Sequence, residues 1–448
     1  MPSITVLTPT GTLGYGFGIE AFKRGMALRP DVIAVDAGST DPGAYYLGSG
    51  KPLVSRYSTK YELTTLILAA CSSQIPLIVG SAGGAGTKSH VDWTAQIVRE
   101  IATENNLKFN LATIYADVSV ERARKAVKQR EIQRFEASFA LTSEVLDETV
   151  SLVAQMGHEP IVEALRQGAQ VIIAGRAVDD CAIAAFPIWR GADPAQSIHM
   201  GKVLECGAFS AEPFAMDVMI GVVNGSDFIL EPGSLDRRAS LESVAAHSLY
   251  ERENPYIQVG PGHNLDLHQC AYEQVGQRSV RVSGAIYEEN PEYWVKIEGA
   301  RIAGYRTIFI GGIRCPTMIG NINEILEQVR QNTISYFKPN DIQIEYHVYG
   351  RDGVMRGLEP QKTITSHELG LVIEVLASNQ EMAHGACHHI SGTLLHEQWD
   401  GQFNTSGNIA VPFSPSEIDS GPVYVFSAYH LMKTEGAMEL FPINFEEV

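Results

Sequence analysis

The chain has 448 residues, enough to bury more than one ordinary core, so two domains are expected. Its 52 acidic against 34 basic residues leave a net charge of −18, which sets the surface against nucleic acid and anionic membranes. No window approaches ~18 consecutive apolar residues, which excludes a membrane-spanning helix.

The start, MPSITVLTPTG, runs directly into a strand over 4–7, with neither a basic nor an apolar leader segment, so no secretory signal is expected. The loop TPTGTLGYGFG (8–18) opens a helix near Ile19. An apolar strand over 32–36 then enters DAGSTDPGAYYLGSG, and a helix near 59–73 follows. Next come a strand over 77–79, the loop GSAGGAG (80–86), a helix near 90–104 and a strand over 110–116. A helix begins at Ser119, whose hydroxyl is placed to cap it. Segment 130–157 fits no single pattern. His158-Glu159-Pro160 opens a helix to Arg166, Gly168 ends it, and a strand follows over 171–174. The recurring unit is apolar strand, Gly- or Asp-bearing loop, helix. It predicts an α/β fold: a parallel sheet with helices on both faces.

After about residue 210 the texture changes. Strands near 217–223, 279–284, 293–299 and 306–312 follow without long helices between them, and their alternation suits an antiparallel sheet with one wet face. A helix over 322–336, a strand over 342–349, a helix near 381–399 and an aromatic strand over 423–429 complete the chain. The expected organisation is a ligand-binding α/β domain over 1–210 and an α+β domain over 211–448 with a loop-rich tail. The six cysteines lack CxxC spacing, which suggests reduced thiols and a cytoplasmic protein.

Open α/β sheets place ligands at the carboxyl ends of their strands. Three loops there are rich in glycine, and their N–H groups can form nests for phosphate or carboxylate. Thr10, Gly11, Gly14, Ser39, Thr40, Gly83 and Gly84 are the candidate binding residues, with plain turn chemistry as the alternative. Neither a dinucleotide nor a P-loop fingerprint is present. Arg176, at the end of strand 171–174, can fork onto a carboxylate. Of Asp179 and Asp180, one is expected to cap the next helix; the other can pair with Arg176 or join Asp36 and Asp41 in holding a divalent metal.

Asp193-Pro194 marks a further helix start and Gly207 its end. On it His199, Lys202 and Cys206 fall within about 60° of one another, with Glu205 off that stripe. Such a face offers a proton shuttle in His199 and an enolate stabiliser in Lys202, with Asp36 or Asp41 as base. The alternative is a partly wet face with a structural cysteine. His263, in the turn GPGHN, can reach a site or simply complete the turn. Glu381, His384 and His388 lack HExxH spacing and read better as a packed helix with satisfied histidines.

The runs GYGFG, DVIAVDAGSTDPGAYYLGSG, GSAGGAG, GHEP, AGRAVDDCAIAAFP, HMGKVLECGA, GYRTIFIGGIR, GNIAVPFSPSEI and PVYVFSAYHLM resemble the acyclic terpene utilisation AtuA-like proteins. The resemblance spreads over nearly the whole chain. It implies a cytoplasmic catabolic protein handling a small carboxylate or its acyl-CoA thioester, with CoA then part of the substrate. It also implies a small accessory subunit, since the extra domain fused in some members is not evident before Val448. No residue role is taken from it.

The expectation is a lyase or hydratase acting on a hydroxy- or unsaturated carboxylic acid, free or as CoA thioester, in a homo-oligomer. No cofactor is certain, with Mg2+ or another divalent metal as the candidate. The competing expectation is a non-catalytic metabolite-binding subunit of a two-protein complex.

Overall fold

The computed structural model describes residues 3–135, 139–251 and 254–448. The chain forms two compact units, one of Met1–Arg301 with Phe426–Val448 and one of Ile302–Val425.

The larger unit is built on a ten-stranded sheet. Its centre is parallel, in the spatial order Ile4–Thr8, Val32–Asp36, Leu77–Gly80, Val171–Ala174, Asn110–Ile114. These strands are apolar on both sides, and their residues divide by parity. Val32, Ala34 and Ile78 enter one core layer; Ile33, Val35, Leu77 and Val79 enter the other. A sheet buried on both faces needs helices on both. Helices Ile19–Ala27, Arg56–Ser73 and Lys88–Asn105 cover one face, and Cys181–Trp189 and Pro194–Leu204 the other. The expected α/β architecture is what folds.

Met219–Asn224 pairs antiparallel with Ile4–Thr8, and Asp227–Pro232, Val280–Ser283 and Ala271–Gln274 extend that edge. Ile443–Glu447 adds antiparallel to Asn110–Ile114 at the other edge. Position 210 therefore lies inside the larger unit. The texture there changes because connections become hairpins, while the sheet continues. Within the unpatterned segment 130–157, Ile132–Arg134 is strand, Ser143–Asp147 helix and Thr149–Ala154 strand; residues 136–138 lie outside the described residues. A nine-residue helix not anticipated from sequence, Leu241–Leu249, is capped reciprocally by Ser240 and Ser243.

In the smaller unit, residues 305–313 of strand Tyr293–Ile313 pair antiparallel with Leu369–Ala377, which pairs with Ile342–Tyr349. Helices Ile322–Tyr336 and Gln380–His396 pack a core of Ile325, Val329, Ile373, Ala386 and Ile390 onto it. His384 and His388 pair with Asp419 and Glu417, at 3.0 and 3.3 Å. Among the described residues no helix is long and apolar enough to cross a membrane.

Candidate functional site

Three neighbouring strands end at Asp36, Gly80 and Ala174, and the backbone stitches their loops together. Ala37 N–H donates to the Gly80 carbonyl at 3.0 Å, and Ser81 N–H to the Gly175 carbonyl at 3.1 Å. Asp36, Ser81 and Arg176 thus meet at one sheet edge. The Ser81 hydroxyl accepts from Ala177 N–H at 3.2 Å and from Arg176 Nη1 at 3.4 Å. Gly86 fits where it does because a Cβ there would lie 2.1 Å from the Arg176 nitrogen.

A cavity of about 360 Å3 opens at this edge. One wall carries Gly11, Thr12, Asp36, Ser39, Thr40, Asp41, Arg176 and Asp179. The other carries Glu205 and Cys206 from the end of helix Pro194–Leu204, and His247, Tyr250 and Glu251 from helix Leu241–Leu249 and beyond it. A wider groove of about 990 Å3 runs over Arg237, Arg238 and Arg278, but those arginines are tied to Asp217, Glu212 and Glu231. The buried titratable groups gather in the smaller cavity, so that is where chemistry is placed.

Its charges are locked in pairs. Arg176 is buried and forks onto Glu298, Nε to Oε2 at 2.9 Å and Nη2 to Oε1 at 3.4 Å. Burial opposes its charge, but the carboxylates of Glu298, Asp179 and Asp36 together outweigh burial and keep it protonated. Lys202 Nζ lies 3.0 Å from Asp179 Oδ2, 2.9 Å from Glu205 Oε1 and 3.2 Å from Glu251 Oε2. Burial works against that ammonium too, and Asp179 and Glu205 overcome it. The carboxyl groups are driven in opposite directions. Burial, reinforced by Asp179, raises Asp36 to about 6, whereas Arg176 and the Gly38 N–H at 3.0 Å pull it down less. Asp179 is lowered, because Lys202 and Arg176 outweigh its burial. Burial raises Glu205.

Of the candidates read from sequence, Gly11, Asp36, Ser39, Thr40, Asp41, Arg176 and Asp179 line the cavity, and Lys202 bonds to three carboxylates of its wall. The others lie elsewhere. Gly14 N–H, with Gly16 N–H, donates to the Glu62 carboxylate at 2.7 Å, so that glycine nest holds an anion of the protein itself. Gly83 and Gly84 back onto His90 and Leu53, and the Gly84 carbonyl steadies Ser39 N–H at 3.2 Å. Thr10 is fully buried and lies outside the lining. His199 is fully buried edge-on to Phe228, with Cys270 Sγ 3.8 Å from Nδ1. His263 stacks on Tyr287 and bonds the Pro261 carbonyl at 3.0 Å. Asp180 occupies the N-cap position of the next helix without capping it. Its carboxylate takes Gln258 and Cys181 instead, and burial raises it to about 6. The set Asp36, Asp179 and Asp180 is therefore split by the direction in which Asp180 points.

Sequence reasoning missed Glu205, His247, Tyr250 and Glu251. Tyr250 OH lies 3.1 Å from both Cys206 Sγ and Glu205 Oε1, and its ring stacks on His247 at 4.5 Å. Burial pushes the Cys206 thiol well up, which removes it as a free nucleophile. The available signal was the i,i+3 spacing of Lys202 and Glu205. Among the described residues, two groupings bring three ligand atoms within 4.8 Å of one another: Asp179, Glu205 and Glu251, and Glu205, Cys206 and His247.

Residues 56–408 match the model of the acyclic terpene utilisation family protein AtuA. The matched segment carries Arg176, Asp179, Lys202, Glu205 and His247, and begins after Asp36. No curated protein matches the chain.

Proposed function

Given that the chain belongs to the acyclic terpene utilisation family AtuA, we propose that it is a cytoplasmic catabolic lyase or hydratase. Its substrate is a hydroxy- or unsaturated carboxylic acid, free or as CoA thioester. The observation that carries this reading is the pair of carboxyl groups on one cavity, Asp36 raised to about 6 and Asp179 lowered. Environments that drive two such groups apart separate an acid/base role from a purely electrostatic one. Asp36, ionised at neutral pH yet close to its titration point, takes and returns the proton next to the substrate carbonyl. Asp179 stays ionised and fixes Lys202, while the hydroxyls of Ser39 and Thr40 are within the wall to meet substrate oxygens.

The competing reading, a metabolite-binding subunit that docks a partner, draws on Val354, Leu358 and Phe403, large apolar side chains exposed in the smaller unit. Turnover separates the two. Hydroxy acids and their CoA thioesters should be consumed by the wild-type chain, with or without a small partner subunit. Asp36→Asn should cut kcat/KM by ~10²-fold or more and abolish a rise in rate centred near pH 6. Ligand-induced thermal stabilisation without turnover would favour the binding subunit, and unchanged rates in Asp36→Asn would remove the assigned base.

A further inference from the structure

The cavity is acid-rich, and its two cations are already engaged. Arg176 is spent on Glu298, and Lys202 on Asp179, Glu205 and Glu251. A carboxylate or a developing enolate entering it lacks a counter-charge. Of the two three-ligand groupings in its wall, the acidic one is disqualified, because the Lys202 ammonium already bonds all three of its members at 2.9–3.2 Å, whereas in the other it bonds Glu205 alone, through Oε1. The other, Glu205, Cys206 and His247, brings together a carboxylate, a thiol and an imidazole.

We propose that Glu205, Cys206 and His247 form a binding site for a first-row transition-metal ion, Zn2+ by ligand chemistry, with an open coordination position facing the cavity. This rests on the acid/base reading of the same cavity and supplies the cation it lacks. A thiolate with an imidazole selects zinc-like ions over Mg2+ or Ca2+, which take oxygen ligands. Three protein ligands with one open position is the stoichiometry of a catalytic zinc. Tetrahedral bonding at Zn–N of about 2.0 Å and Zn–S of about 2.3 Å places ligand atoms roughly 3.3–3.7 Å apart. The observed limit of 4.8 Å therefore needs a contraction of about an ångström, within side-chain reach.

The fold prepares this position in three ways. Glu205 and Cys206 close the eleven-residue helix Pro194–Leu204, whose carbonyl end carries partial negative charge. The Cys206 backbone is held against Gly11, where a Cβ would meet its carbonyl oxygen at 2.7 Å. The Tyr250 hydroxyl, 3.1 Å from both Sγ and Oε1, can donate to either ligand and orient it. On binding, Cys206 releases its proton to solvent, and the two anionic ligands balance the dication.

Cobalt substitution tests the site independently of turnover. Chelator-treated full-length protein titrated with Co2+ should bind one equivalent, giving a near-ultraviolet thiolate-to-cobalt charge-transfer band and the visible bands of a tetrahedral centre. Zn2+ should displace it. Cys206→Ser should lose the charge-transfer band, His247→Ala should weaken binding at least tenfold, and Cys270→Ser should leave both intact. Circular dichroism confirms that each variant is folded. Absence of the band from folded wild-type protein, or its survival in Cys206→Ser, would overturn the proposal. If the band is absent while Asp36→Asn still loses turnover, the metal site falls and the acid/base reading stands. If the band appears and Asp36→Asn keeps full turnover, the reverse holds.

Discussion

At the scale of single residues, the site is a set of charges that stabilise one another only while all are present. Lys202 is the clearest case, being buried among Asp179, Glu205 and Glu251. Removing one partner of a buried ion pair leaves uncompensated charge and costs about 3–5 kcal/mol. Lys202→Met should therefore lower unfolding free energy by that order in denaturant titration. Lys202→Met with Glu205→Gln should recover part of the loss, since one of the stranded carboxylates is then neutral. Strict additivity in that cycle would show that the two side chains do not interact. Asp36 and Arg176 were legible in sequence because each stands where an apolar strand runs out, a position the chain itself marks. Glu205 was not. Every residue of helix Pro194–Leu204 after Pro194 is buried, so no polar stripe shows which face meets the cavity. The end of the helix that meets the cavity carries Glu205 and Cys206, with Lys202 bonded to the carboxylates beside them. A stripe centred on His199 turned the helix too far, toward Phe228.

At the scale of elements, the site depends on loops that approach closer than side chains allow. Gly86 has φ of +61°, and a Cβ there would lie 2.1 Å from the Arg176 nitrogen. Gly86→Ala combines a left-handed backbone penalty with overpacking, together about 2–4 kcal/mol. It should displace Arg176 as well. Gly320, at the end of helix Pro316–Gly320 in the smaller unit, has open space around it. Gly320→Ala should be neutral or stabilising by up to about 1 kcal/mol. Thermal unfolding of the two variants checks the contrast, and similar midpoints would mean that loop 80–86 yields easily. The strand–loop–helix rhythm of the first half was readable because apolar runs and glycines alternate there. Helix Leu241–Leu249 was not, since nine residues give too few turns for a period to emerge and its cap is a serine pair rather than Ser with Glu. Its omission hid His247 and Tyr250. The nest at Gly14 and Gly16 shows a subtler limit: the glycines announce an anion, but Glu62 lies 48 residues from Gly14 and nothing local names it.

At the scale of the whole molecule, sequence conveys the parallel centre of the sheet and not its extension. Parallel neighbours are joined by helices that leave a periodic trace. Met219–Asn224, by contrast, finds Ile4–Thr8 across more than two hundred residues, a pairing no local pattern records. The global charge carries one further consequence. Asp36 and Asp180 are both buried and both raised from 3.8 to about 6. A carboxyl raised on folding stabilises the native state fully below its unfolded pKa and loses that contribution as pH climbs through the folded one. The window is therefore about pH 4 to 6, and each group is worth about 3 kcal/mol at 1.36 kcal/mol per pKa unit. Self-repulsion at net charge −18 also relaxes as pH falls toward the sequence pI of about 5.2. Asp179 and Glu298, lowered by Lys202 and Arg176, act oppositely, but their contribution is lost only below the ordinary carboxylate range. His90, buried and lowered from 6.5 to about 4, opposes Asp36 and Asp180 within the same range, because its contribution is lost as pH falls from about 6.5 to 4; the carboxyl effect is therefore read from a variant compared with wild type. Calorimetry at low protein concentration across that range is the measurement. Asp180→Asn, which leaves the cavity wall untouched, should gain stability relative to wild type as pH rises from 4 to 7, by about 3 kcal/mol; a difference between the two that is the same at pH 4 and pH 7 would mean that Asp180 ionises without cost.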